Sequence, residues 1–425
     1  MNAAHQIWKI PVSFPYNKEI EWVIGVFASY AGLQIKVVEE VLENSVLITD
    51  KGIVVTLDPS WFVKIYSGDK NYLNWPDENL NLCDNSGQTD YFASVFYFLN
   101  CLWEEDPDAR KDHWGRSEFD GSIWKRRGLR RPSLKVNELF DQLADELQIE
   151  IVKRKSTVFL SHDIDVVGRA HLEDGLYRLR KGQFSKFLRV LIDNLKERQW
   201  FNFERIADLE ESFHYRSSFF WIPVKGRVSG VGKNADYRLA DKKVRSAINQ
   251  LRDRGFSHGI HKSIASNTLK KELDLLGMEV KANRYHYLKF NFTELIGELN
   301  ESGLPLDASL GYAQVMGYRN GYSLPFRPFD RRTREVAGFI EVPLTIMDGT
   351  FSKYLKLPAD QAYEHIITYL QEISENAVIS VLWHNSHFTD HKYEGYPDLY
   401  VKLLSYFKEK GYTCETVDSL ISRWG

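Results

Sequence analysis

From residue 156 to the C-terminus, short apolar β-forming runs alternate with segments of helical period, and few architectures accommodate that pattern. The runs are Val158–Leu160, Ser218–Val224, Gly259–His261, Phe339–Pro343 and Val378–Trp383. Between them, Lys242–Arg252, Thr268–Leu276, Phe292–Leu299 and Asp360–Ile373 repeat apolar residues at helical spacing. Strands that are apolar throughout are covered on both faces, and strands separated by helices pair in parallel. The expectation is an α/β fold, either a parallel βα barrel or a doubly wound sheet. Both gather ligands at the C-terminal ends of the strands.

The remainder of the 425 residues is read around that unit. Residues 1–102 read as a small N-terminal α/β domain, with strands at Leu33–Val38, Val46–Ile48 and Ile53–Leu57. Residues 103–150 read as a charged linker followed by a helix. Trp103 to His113 and Lys125 to Pro132 are dense in charge and turn residues, and Leu139, Phe140, Leu143 and Leu147 then fall at helical spacing. Residues 151–425 are the barrel-like domain. A hydrophobic fraction of 43% excludes disorder, and a net charge of −3 gives no reason to expect nucleic acid or an anionic membrane surface as partner. Cys83, Cys101 and Cys414 lack metal-type spacing and fit reduced thiols. The first residues lack the pattern of a secretory signal, and Trp22–Val38 is interrupted by polar residues and glycines, so it is no membrane span. A cytoplasmic location is expected.

Titratable residues cluster at four strand ends. In Ser156–Asp165 an apolar strand stops at Asp163 and Asp165, which project to one side if the strand continues. Two neighbouring carboxylates call for a cation or a shared proton. His261 ends Gly255–Ser263, and its spacing from His258 in an extended chain sends the two rings to opposite faces, leaving His258 a structural role. Arg284, His286 and Tyr287 share Ala282–Leu288, and His384 with Asn385 follows Val378–Trp383. Carboxylate plus imidazole is a ligand set for a divalent cation such as zinc.

These motifs resemble those of the polysaccharide deacetylases, the family 4 carbohydrate esterases, over about residues 156–420. The similarity is to a bacterial branch that carries an extra N-terminal domain. Ser161-His-Asp-Ile-Asp165 is similar to the first motif, which implies Asp163 as catalytic base and Asp165 as metal ligand. Gly259-Ile-His261-Lys-Ser263 matches the branch's Gly-Leu-His-x-Ser, implying His261 as ligand. Arg284-Tyr-His-Tyr287 falls on Arg-Pro-Pro-Tyr, implying that Arg284 braces the base and the Tyr287 N–H serves an oxyanion hole. Leu382-Trp-His384 matches Leu-x-His, implying His384 as general acid; Asn385 beside it is a candidate substrate contact. Leu306–Tyr312, Gly317–Gly321 through Pro325-Phe326, and Val342–Asp348 also look like this branch. The family's second metal histidine, four residues after the first, is Ala265 here, and both prolines of the third motif are replaced, by Tyr285 and His286. His286 is the candidate third ligand, a site completed by water being the alternative.

The resemblance implies a distorted (β/α) barrel and a metal-dependent hydrolase, its cofactor a divalent cation, zinc for preference. The expected reaction removes an N-acyl group, acetyl above all, from an amino sugar or glycan precursor, with a carbohydrate as the binding partner. Two other readings stay open: a non-catalytic relative binding a glycan or partner protein through the same cleft, and a hydrolase of another amide. Tyr285, Tyr287, Tyr318, Tyr322, Phe326 and Trp383 could stack on sugars, although most should be core, and the Gly- and Pro-rich stretch 311–328 is a candidate substrate-facing loop.

Overall fold

The structure, a computed structural model, describes residues 5–42, 45–168, 170–196, 199–229 and 231–425. Its main sheet has eight strands: β5 (Thr157–Ile164), β6 (Ser218–Trp221), β7 (Ser257–Lys262), β8 (Ala282–Tyr285), β9 (Leu306–Asp307), β10 (Ile340–Glu341), β11 (Leu344–Met347) and β12 (Val378–Leu382). Their order is β10-β9-β8-β7-β6-β5-β12-β11, every pairing parallel. Only Val342 and Pro343 separate β10 from β11, so the two outer strands of the sheet are consecutive pieces of one segment. That segment pairs with β9 at its start and β12 at its end, curling the sheet toward a distorted barrel. Every residue of β5 is buried, as a strand covered on both faces requires.

The strands anticipated at 158–160, 218–224, 259–261 and 378–383 lie on β5, β6, β7 and β12. Strand β8 escapes a reading of periodicity because its four residues, Ala-Asn-Arg-Tyr, are half polar; they are buried inside the barrel, where their partners lie far away in sequence. The helical segments begin and end within a few residues of expectation, for example Lys242–Asp253 and Ala359–Glu372.

A separate four-stranded sheet, in the order β2-β1-β3-β4, contains β1 (His5–Pro11), β2 (Gln34–Glu40), β3 (Val46–Ile48) and β4 (Val54–Thr56). Helix α1 (Asn17–Ala31) carries the apolar stretch that begins at Trp22. The small sheet and the barrel share one continuous core. Trp22 packs on Phe96 and Phe329 at 5.4 Å each, and its indole N–H donates to the Arg327 carbonyl at 2.7 Å.

Residues 103–150 differ from a solvated connector. Helix α2 (Lys135–Glu146) buries Val136, Leu139, Phe140 and Leu143 as its spacing suggests. The charged run before it is also packed. Glu104 is buried and receives the Arg319 guanidinium (Nε–Oε1 2.6 Å), which lies over the rings of Phe290 and Tyr312. The Trp124 indole donates to the Arg319 carbonyl at 3.0 Å. Charge density misleads here because each buried charge meets a partner from another part of the chain, a pairing that local composition cannot reveal.

The stretch 311–328 is not an open loop. Tyr318 and Tyr322 are fully buried, Phe326 nearly so, and of this stretch Ala313 lines the cavity described below. Among the described residues no helix is long and apolar enough to cross a membrane.

Candidate active site

The C-terminal ends of β5, β7, β8 and β12 converge on a cavity of about 110 Å³ lined by Asp163, Asp165, His261, Tyr285, His286, Tyr287 and His384. Alternation along β5 turns Asp163 inward and His162 outward. The His162 ring lies between the Trp383 carbonyl (Nδ1–O 2.6 Å) and Glu210 (Nε2–Oε1 2.8 Å). Alternation on β7 likewise sends His261 inward and His258 outward, where its Nε2 donates to Ile248 O and its Nδ1 accepts from the Trp221 indole. Gly259 has a packing reason: a Cβ there would come within 2.5 Å of the Phe220 ring, and Phe220 supports the Arg284 guanidinium at 4.6 Å.

The ring hydrogens define what the cavity can hold. His261 Nδ1 lies 2.9 Å from the Arg284 carbonyl, which only accepts, so Nδ1 carries the hydrogen and Nε2 presents a lone pair. His286 Nε2 lies 2.9 Å from the Lys233 carbonyl, so Nδ1 presents the lone pair there. These two lone-pair nitrogens are 3.0 Å apart, and each lies 3.4 Å from Asp165 Oδ1. Asp165 Oδ1 is buried without a hydrogen-bond partner. With both rings neutral, these are three electron-pair donors that face and repel one another, and a cation at their centre removes the conflict. Burial would raise Asp165, but His286, His261 and His384 around it hold its carboxyl well below the usual range. Burial pushes His286 down to about 4, only partly offset by Asp165, which keeps its ring neutral as a metal ligand must be. The donor set thus fits a divalent cation held by Asp165, His261 and His286. Ala265, where the resembled family has its second histidine, sits in the loop after β7, its N–H bonded to Ser263 Oγ.

Two carboxylate pairs flank this triad. Arg284, fully buried, donates from Nη1 to Asp163 Oδ1 at 2.9 Å and to Ser161 Oγ at 2.9 Å, while Nε donates to the Ala308 carbonyl. Asp163 Oδ2 faces His261 Nε2 at 3.4 Å. On the other side, the His384 Nδ1–H donates to Asp348 Oδ1 at 2.7 Å, and Nε2 points toward Asp165 Oδ2 at 3.7 Å. Burial would lower His384, but the Asp348 carboxylate overrides it and raises the ring to about 8. Asp348 also receives the His384 backbone N–H and the His387 ring, and despite burial these imidazoles hold it well below the ordinary carboxylate value. His387 Nε2 is satisfied by Ser352 Oγ, so the Asp348–His384–His387 group is a closed hydrogen-bond cluster, unlike the Asp165 triad.

Asn385 lies off the cavity. Its amide donates to the carbonyls of Val166 and Trp200, both at 2.7 Å, and pins the loop after β5. Tyr287 is at the rim in the left-handed region (φ 59°), followed by Leu288 (φ 52°), a costly conformation for such residues. It is held by residues that the sequence reading left in the linker. Arg116 donates to the Tyr287 carbonyl at 2.6 Å, and Trp114 stacks on the Tyr287 ring at 4.7 Å. Arg116 is itself fixed by Asp112 at 2.7 Å. Asp348, Arg116 and Trp114 are thus site residues that motif reading assigned no role. Asp348 had a signal, since it closes a quoted motif-like stretch; Arg116 had none, sitting in a run whose charge reads as solvated.

No protein-family description matches this chain, and no characterised protein matches it in sequence. A solved structure with a similar arrangement is a "putative polysaccharide deacetylase" from Mycobacterium smegmatis, at 11% identity and a TM-score of 0.40, over 63% of this chain and 90% of that one.

Proposed function

We propose that this protein is a metal-dependent hydrolase that removes an N-acyl group, acetyl for preference, from an amino sugar or glycan precursor. The observation that carries the reading is the convergence of lone pairs from Asp165, His261 and His286 between an arginine-braced aspartate and an aspartate-backed histidine. The ordered motifs that resemble the polysaccharide deacetylases support the substrate class. A divalent cation bound by the triad would supply Lewis-acid polarisation of an acyl oxygen and acidify nearby water.

The chain's own residues divide the proton work. Asp163, its other oxygen committed to Arg284, takes a proton from a water in the cavity through Oδ2. Arg284 holds that carboxylate in place through its 2.9 Å hydrogen bond to Oδ1. His384, raised to about 8, is largely protonated at neutral pH, and its Nε2 faces the cavity to give that proton to the departing amine nitrogen. The Asp348 carboxylate fixes the ring orientation and stabilises the imidazolium. The left-handed turn at Tyr287 brings backbone to the cavity rim, where an N–H donor to an acyl oxyanion contributes roughly 3–4 kcal/mol in the best-studied case.

The test pairs elemental analysis with an acetate-release screen over N-acetylated sugars, nucleotide sugars and oligosaccharides. One equivalent of a divalent metal together with acetate release is expected. A protein that takes up no metal would favour a glycan-binding role, and a metalloprotein releasing no acetate would point to another amide.

A further inference from the structure

The chain leaves β5 through Asp165 and, within a few residues, enters two helices that carry an apolar face on which none of the described residues packs. They are α3 (Ala170–Arg180) and α4 (Phe184–Lys196), joined by a three-residue turn. They pack antiparallel: Gly175 lies beside Phe187 and Val190, and the His171 ring meets the Asn194 amide at 3.2 Å. Leu172, Leu176 and Leu179 stand outward on α3; Phe184, Leu188, Ile192 and Leu195 stand outward on α4, with Leu195 86% exposed and Phe184 65%. At 100° per residue, each stripe lies about a quarter turn from the line joining the two helices. Because the helices run in opposite directions, the two quarter turns bring both stripes to the same side. The result is one contiguous apolar face of seven exposed side chains, the kind of patch that marks a contact surface.

Its charge differs from that of the rest of the chain. Residues 170–196 contain six Lys and Arg against three Asp and Glu in a chain whose net charge is −3; Arg178 is buried and, with Lys186, meets Glu394 from outside the segment, while Arg180, Lys181 and Arg189 stand exposed. The whole-chain value, which gave no reason to expect an anionic surface as partner, conceals this segment. The hairpin also borders the catalytic cavity: Glu173 of α3 pairs with Lys233 at 3.2 Å, and the Lys233 carbonyl receives the His286 ring N–H.

We propose that the α3–α4 hairpin is a membrane-surface anchor, lying in the interface of an anionic bilayer with its leucines among the acyl chains and its basic flanks among the headgroups. An exposed apolar stripe flanked by arginine and lysine is the composition of helices that lie on a bilayer. A second copy of this chain is the poorer occupant, because two such faces would bring like charges together. Docked this way, the enzyme holds its cavity at the membrane surface and meets an acylated sugar carried on a lipid. The substrate clause rests on the hydrolase reading; the docking itself does not.

Sedimentation of the full-length protein with phosphatidylglycerol/phosphatidylethanolamine vesicles tests it, with phosphatidylcholine vesicles as the uncharged comparison. Binding to the anionic vesicles, weakened by added salt, is expected. The triple variant Leu188→Ser, Ile192→Ser, Leu195→Ser should partition roughly a hundredfold less while losing little in melting temperature, since these side chains are about half exposed or more. Arg180→Glu with Lys181→Glu should lose preference for the anionic vesicles. The proposal is overturned if the native protein stays in the supernatant, if both variants sediment like it, or if light scattering shows a dimer that the triple variant dissolves. None of these outcomes depends on whether the protein releases acetate.

Discussion

Replacing Asp348 with Asn removes one charge from the partner of His384 and leaves its shape nearly unchanged, so it isolates what that carboxylate does to the ring. In the native protein Asp348 lifts His384 to about 8 against the downward pull of burial. Without the charge, burial outweighs the smaller upward pull of Asp165 and the ring falls to or below its ordinary 6.5. If His384 must be protonated to expel the amine, activity should fall above about 8 in the native enzyme and above about 6.5 or lower in the variant. At pH 8 the native ring is about half protonated and the variant ring about 3% or less, a deficit of about fifteenfold or more. At pH 6 the two differ far less. The assay is kcat/KM for acyl release from pH 5.5 to 9, with the His384 ring followed by NMR on the same samples. A single pH-independent loss, or an alkaline limb that does not move, would refute the proton-donor assignment. Stability follows with a definite sign. The His384 pKa is raised on folding, so about 2 kcal/mol of stability is present below pH 6.5 and lost as pH rises through about 8. Asp348 is depressed on folding, so its contribution is present above its ordinary 3.8 and lost as pH falls. The Asn variant should therefore lose stability most between these limits, which melting temperatures across the pH range will show.

Three further outcomes test the site and its surroundings. His286→Ala should lower metal stoichiometry or weaken affinity by at least about tenfold, because one of three protein donors is gone; unchanged binding in a titration with zinc would remove His286 from the ligand set. Asp163→Asn should abolish turnover and also destabilise the protein by about 3 kcal/mol in chemical denaturation, since it strips the fully buried Arg284 of its carboxylate; appreciable residual turnover would contradict the base. Glu104→Gln should cost about 3–5 kcal/mol by leaving the buried Arg319 without its counter-charge, whereas a neutral effect would mean that the 103–150 segment contributes little to holding the barrel.

Periodicity and local chemistry along the chain determine much of this protein. Alternating strands and helices after residue 156 specify a parallel sheet because each apolar strand needs cover on both faces. The two-residue period of a strand puts Asp163 and Asp165 on one side and parts His261 from His258, a relation internal to each segment. What tertiary structure alone decided are the relations between segments. That His286 presents Nδ1 to the triad depends on the Lys233 carbonyl, 53 residues away. That His384 sits near 8 depends on Asp348 from the neighbouring strand end. Asn385, adjacent to the histidine in sequence, turned to pin a loop because its carbonyl partners lie there. Arg116 reached the cavity rim from a run that reads as solvent-facing, since burial of a charge is determined by the partner that meets it. Spacing along a chain encodes which side of its own element a residue takes, and only packing between elements decides what it faces.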